Sequence, residues 1–112
     1  MKKLRKATFD PLLNQTFAVR PDDNRTIPVK LASITQRDLN AQFENFTLNF
    51  DPLDDASALP DGNYLLENEQ LGQAMIFISA TPAIGPEPGR FYYEAVFNVY
   101  IGDDGNRGQI TV

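Results

Sequence analysis

Carboxylates are the side chains this sequence supplies most freely for chemistry. Asp51, Asp54, Asp55 and Asp61 crowd one stretch, and Asp103-Asp104-Gly105-Asn106 makes a second acidic cluster. Two carboxyls facing each other across a cleft would serve glycoside hydrolysis. Several oxygens converging on one point would hold Ca²⁺. Glu94 stands inside a long alternating run, and turned inward it would have the raised pKa of an acid or base.

Each of these groups has a plainer reading. A calcium loop of the EF type needs a closing Glu about twelve positions on, and the sequence from Asp103 to Val112 contains none, so 103–106 reads as an acidic hairpin turn. Four aspartates in one Pro-containing stretch read as a solvated loop. Alternation sets Glu94 beside Tyr92 and Tyr100, the less apolar side, where a surface Glu or a pair with Arg90 or Lys30 is expected. No catalytic, cofactor-binding or metal-ligating residue is assigned.

Two other groups are candidates for binding. Tyr92, Val96 and Tyr100 recur at every fourth position of one strand face. Exposed, they would be an aromatic docking stripe; covered, they are a second core layer of a closed barrel, which is the expectation here. Lys2, Lys3, Arg5 and Lys6 could touch phosphate or anionic lipid. No aromatic interrupts that run, so residues 1–6 are expected to be a flexible basic tail and 7–112 a single β domain.

Composition removes whole classes of chemistry. The 112 residues include no His and no Cys. That excludes a serine–histidine triad on Ser33, Ser57 or Ser79, a thiol nucleophile, a thiolate metal site and any disulfide. Net charge is −5, and outside the first six positions six basic residues face fifteen acidic ones. An acidic body repels nucleic acid. The basic start runs into Ala7-Thr8-Phe9-Asp10-Pro11, whereas a signal peptide needs an apolar run of about 7–15 residues there. No stretch approaches the roughly 20 apolar residues of a membrane-spanning helix. A cytoplasmic protein with no membrane partner is expected.

The elements that position these residues are strands. Thr8 is placed to cap a short helical turn over Phe9 to Leu13, with Pro11 tolerated in its first turn. Gln15 to Arg20 alternates, with Phe17 and Val19 together. Pro21-Asp22-Asp23-Asn24 is a turn signal. Arg25 to Thr35 follows, with Ile27, Val29 and Leu31 on one face. Ile34 is out of phase, which predicts a bulge near Ala32-Ser33. Pro28 lacks an N–H, so this strand lies at an edge or beside an irregularity.

Residues 36–42 are polar and read as a loop. Phe46, Leu48 and Phe50 then alternate with polar residues, one face dry and one wet. Asp51 to Gly62 is a loop, Asn63 to Glu67 a short strand, and Gln70-Leu71-Gly72 a turn. Ala74 to Ala80 is apolar on both faces, as a central strand would be. Thr81 to Arg90 is an open loop rich in Pro and Gly. Phe91 to Ile101 is the longest strand, with Phe91, Tyr93, Ala95, Phe97, Val99 and Ile101 on one side. A hairpin connection over 102–106 would let Gln109 to Val112 pair back.

Strand follows strand without helices between, which implies antiparallel pairing. Closure removes open edges. The expected fold is all-β: a small antiparallel barrel or sandwich of about six or seven strands with a short N-terminal helical turn.

Several strings resemble an uncharacterised family of small bacterial proteins, known only as a domain of unknown function. They are Phe9-Asp10-Pro11-Leu12-Leu13 with Thr16-Phe17, Phe46-Thr47-Leu48-Asn49-Phe50, Leu59-Pro60-Asp61-Gly62-Asn63-Tyr64, Leu71-Gly72 and Tyr93-Glu94-Ala95-Val96-Phe97-Asn98. Together they span roughly residues 9 to 98. Asn14 stands where the family usually has Gly and Asp61 where it usually has Gln, and the stretch after Asn98 is longer. The resemblance implies a small β domain. It also implies genes for phage-tail-collar-like proteins as neighbours, and it brings no catalytic residues.

The functional expectation is a non-enzymatic structural or interaction module, with a protein partner or a second copy of itself, docking on a tail-like assembly through a sheet edge or the Tyr92/Tyr100 face. A carboxylate enzyme acting on glycans is one alternative. A hollow ligand-binding barrel with a void lined by Phe46, Phe50, Phe77 and Phe97 is the other.

Overall fold

A computed structural model describes residues 4–54, 57–85 and 89–101. Lys2, Lys3, Asp55, the 103–106 turn and the returning segment 109–112 lie outside the described residues.

The chain begins with α1 (Lys6–Phe9) and a 3-10 turn (Asp10–Leu12). Six strands follow: β1 (Thr16–Asp22), β2 (Arg25–Asn40), β3 (Phe43–Pro52), β4 (Gly62–Asn68), β5 (Gly72–Pro82) and β6 (Phe91–Tyr100). They close into an antiparallel barrel in the order β1-β2-β3-β6-β5-β4. Two meanders, β1–β3 and β4–β6, therefore meet twice, at β3–β6 and at β1–β4.

The register follows the pattern of apolar residues. Phe17 and Val19 of β1 lie across from Val29 and Ile27 of β2, and all four point inward and are buried. The β2–β3 register shifts between Leu31 and Ser33, the bulge that the phase of Ile34 demands. Pairing of β2 with β3 begins at Val29 and Pro52. Pro28 thus stands just past the end of that ladder, where its missing N–H costs nothing, and its carbonyl accepts the Leu53 N–H at 3.0 Å.

Rings fill the interior. Phe46 stacks on Phe97, with centroids 4.7 Å apart and planes 3° from parallel, and Phe17 meets Phe50 edge-on at 5.2 Å. Leu31, Leu48, Leu66, Ile76, Ile78 and Ala95 complete the core. Three of the four rings proposed to line a void fill it instead, and Phe77 points outward. A barrel of so few strands is just wide enough for its own side chains.

Three local expectations are corrected. The helical turn starts at Lys6, so Thr8 lies inside it, and its Oγ1 accepts the Arg5 N–H at 3.2 Å. Residues 36–40 extend β2 rather than forming a loop. They pair with β3 as far as Asn40 and Phe43, with Gln36 and Arg37 exposed. Arg5 and Lys6, expected in a loose tail, are engaged: Arg5 forms an ion pair with Glu44 at 3.1 Å and Lys6 with Asp10 at 2.9 Å.

Asn14 has φ +71°. This is the left-handed region that Gly enters freely and Asn tolerates best among other residues. Its N–H donates to the Leu31 carbonyl at 2.7 Å, and the Leu31 N–H donates to the Gln15 carbonyl at 3.0 Å. The chain thus turns from the 3-10 segment directly into the barrel wall.

Candidate functional site

The barrel's outer surface is mostly polar, as water-facing positions of an antiparallel sheet should be. β5 and β6 depart from this. Met75 is 63% exposed, Phe77 53%, Val96 72% and Tyr100 43%. The two-sided apolar run over Ala74 to Ala80 does not mark a strand buried on both faces. Ile76 and Ile78 fill the core, and Met75 and Phe77 stand in water.

The expectation that Tyr92, Val96 and Tyr100 form a second core layer is likewise overturned. The barrel is a single layer, and alternation sends Tyr93 and Ala95 inward and the even-numbered residues outward. Tyr92 is half-buried, opposite Thr81 across the β5–β6 ladder. The Tyr100 ring leans on Phe43, centroids 5.3 Å apart.

Backbone geometry brings these residues together. β5 and β6 pair from Pro82 with Phe91 to Ser79 with Glu94, and the ladder stops there. Two residues beyond the last pair, Phe77 of β5 and Val96 of β6 both face outward, on either side of the opening. Met75 lies opposite Leu65 of β4. An apolar strip thus crosses the wall from β4 to β6 where the sheet opens. Glu94 borders it, accepting a hydrogen bond from Thr81 Oγ1 at 2.7 Å. Neither Arg90 nor Lys30 is its hydrogen-bond partner here.

The wall beneath is braced by charged side chains. Arg20 Nη1 donates to Glu67 Oε1 at 3.0 Å and Gln73 Nε2 to Glu67 Oε2 at 2.9 Å. The Gln73 hydrogen bond, joined by Arg20, outweighs desolvation and holds the Glu67 carboxyl below its ordinary pKa. At the hairpin from β4 to β5, Asn68 Oδ1 accepts the N–H groups of Gln70 and Leu71 at 2.8 and 3.0 Å. Asn68 Nδ2 donates to the Thr16 carbonyl at 3.1 Å. This one amide shapes the turn and ties it to β1.

The acidic stretch makes no comparable site. Asp51, Asp54 and Asp61 are exposed. Among the described residues, no three acids stand close enough to share a metal ion. A depression at that end of the barrel, lined by Pro52, Asp54, Ser57, Ala58, Arg90 and Phe91, offers one carboxylate among them. The loop is held by Leu59, which is buried and whose N–H donates to the Tyr93 hydroxyl at 3.1 Å. Burial pushes the Tyr93 phenol up, so it stays a neutral hydroxyl. Among the described residues, no helix is long and apolar enough to cross a membrane.

Comparison with family models gives one match, described as a domain of unknown function, DUF6916, over residues 4–97. The chain belongs to the DUF6916 family. The DUF6916 match takes in the N-terminal helical turn and the barrel as far as Phe97 of β6. Neither the curated proteins nor the solved structures yielded a match.

Proposed function

We propose that this DUF6916 domain is a non-enzymatic interaction module that docks a protein partner on the outer face of β5 and β6. One observation carries the reading: Met75, Phe77 and Val96 are large apolar side chains gathered in water, where the sheet also opens. Burying a half-exposed Phe or Met recovers about 1 kcal/mol or more of transfer free energy each. Contiguous exposed apolar surface of this kind marks interaction sites.

The rest of the molecule supports a binding role over a catalytic one. Apolar side chains fill the interior, and no three acids among the described residues stand together. A tail-like assembly is the partner class that the family resemblance suggests. Tyr100, leaning on Phe43, would add the aromatic surface in which interfaces are enriched.

Light scattering after size exclusion, together with capture of candidate assembly proteins, tests this with Met75→Glu/Phe77→Glu against the unchanged chain. The double variant is expected to abolish association while its unfolding midpoint stays within a few degrees. A parent chain that remains monomeric and captures the same proteins as the variant overturns the reading.

A further inference from the structure

Past Ser79 and Glu94 the two strands of the β5–β6 seam part. β6 continues to pair with β3 as far as Phe43 and Tyr100, and β5 continues to pair with β4 as far as Asn68 and Gly72. The direction of the ladder bonds fixes which groups each strand turns toward the other. The Ile101 N–H donates to the Gln42 carbonyl, on the β3 side, at 2.7 Å. Backbone groups alternate sides along a strand, so the N–H and C=O groups of Val96 and Asn98 face the seam. On the other strand, the Ala83 N–H donates to the Arg90 carbonyl at 3.0 Å, so the backbone groups of Phe77 and Met75 face it too. Among the described residues, no strand bonds these seam-facing groups.

Side chains make this seam an apolar slot. Phe97 and Val99, the inward residues beside it, are only partly buried. Behind them lies Phe9, buried, with its ring 5.5 Å from that of Phe97. On the outer rim, Phe77 of β5 and Val96 of β6 stand exposed. A second edge is open as well: past Ser33, β2 has no strand on its β1 side among the described residues. That edge is blunted, since register shifts flank it and Arg37 stands exposed, the devices by which sheets discourage pairing. β6 pairs with β3 without a register shift, so its edge is regular.

We propose that the partner enters this seam as an extended segment and adds a strand to β6. Val96 and Asn98 supply the main-chain donors and acceptors, the source of affinity in strand addition. This rests on the reading of the β5–β6 face as a docking surface, and it names the form of partner that the face takes. The shape of the opening selects the occupant. β5 and β6 bound it on both sides, so it admits a single extended segment, whereas the sheet edge of a second folded copy would run into β5. Alternate side chains of the segment lie outward beside Val96 and Phe77 and inward on Phe97 and Val99. A segment with β-branched residues at both kinds of position suits it.

Amide hydrogen exchange by NMR tests it in the full chain. The probe is a synthetic peptide of alternating Val and Thr with Lys at each end, basic against a protein of net charge −5. In the chain alone, the Val96 and Asn98 amides are expected to exchange fast. The Ala95 and Phe97 amides, which face β3, should exchange slowly and report an intact barrel. Saturating peptide should slow Val96 and Asn98 about tenfold or more. Slow exchange of these two amides in the chain alone means a seam filled without a partner and overturns the proposal. Protection that rises with protein concentration in the absence of peptide means a second copy there, and overturns it too.

A second peptide separates backbone pairing from side-chain contact. N-methylation of two adjacent central residues keeps every side chain and removes a donor from each edge of the peptide. It is expected to bind about tenfold or more weakly, and equal binding of the two peptides overturns the proposal. A peptide that shifts the Met75 methyl signal while Val96 and Asn98 stay fast also overturns strand addition, yet leaves docking on the outer face standing. A peptide that alters neither signal overturns strand addition as well, and the capture experiment with Met75→Glu/Phe77→Glu then decides the face on its own.

Discussion

Phe46 and Phe77 are the same residue type on neighbouring parts of one wall, and opposite faces should give them very different energetic weight. Phe46 is 2% exposed and stacked on Phe97, while Phe77 is 53% exposed. Phe46→Ala removes a buried ring and leaves a cavity that Phe9, Phe97 and the strands around it can only partly close. The cost is about 3–5 kcal/mol, a large part of the roughly 5–15 kcal/mol that holds a domain together. Phe77→Ser gives up only the half of the ring that is covered, about 1 kcal/mol or less. Urea unfolding followed by circular dichroism measures both. The midpoint should fall steeply for Phe46→Ala and barely for Phe77→Ser, with the dependence on denaturant unchanged. Comparable losses at the two positions would show that Phe77 is part of the packed interior, and the case for an exposed binding strip would fall with it.

Two further expectations concern the N-terminal segment. Burial alone would raise the Glu44 pKa, but hydrogen bonds from Arg5 and the Lys6 N–H outweigh it and hold the carboxyl below its ordinary value of 4.5. Stability from this group is therefore present in full above that ordinary value and is lost as pH falls through the lowered folded value. Residues 5–9 should detach from β3 on acidification, seen as NMR shift changes confined to them and their contacts. Glu44→Gln should show the detached shifts already at neutral pH, and an unchanged acid response in that variant would refute the assignment. Asn14→Ala should cost about 1–2 kcal/mol, the strain of a Cβ in the left-handed region. Asn14→Gly should stay within about 0.5 kcal/mol of the parent in thermal unfolding, and equal losses for the two would refute the backbone argument.

Much of the fold was legible because alternation is a direct record of which face meets water. Phe46, Leu48 and Phe50 read correctly as a dry row. Phe91 to Val99 did so too, and Ile34 revealed the bulge at Leu31/Ser33 by breaking phase. The exposed apolar strip over Met75, Phe77 and Val96 was not legible, for a physical reason. A strand apolar on both sides looks the same whether its second face meets another layer or water. Met75, Phe77 and Val96 could be assigned only once the barrel proved to have a single wall. The end of β2 was hidden for the converse reason, since its exposed Gln36 and Arg37 leave no alternation to read and only backbone pairing with β3 marks the strand. The left-handed backbone at Asn14 was not read from the sequence, because Asn is at home in many turn and loop conformations.

The two joins between the meanders are of very unequal length. β3 and β6 are zipped from Phe43/Tyr100 to Phe50/Tyr93, whereas β1 and β4 meet only from Ala18/Glu67 to Arg20/Leu65. A cylinder built this way has a spine and a clasp. Thermal opening should begin at the clasp, swinging the two halves about the β3–β6 spine and uncovering Val19 and Leu66 first. Arg20 and Glu67, an ion pair sited on that short join, act as its fastener.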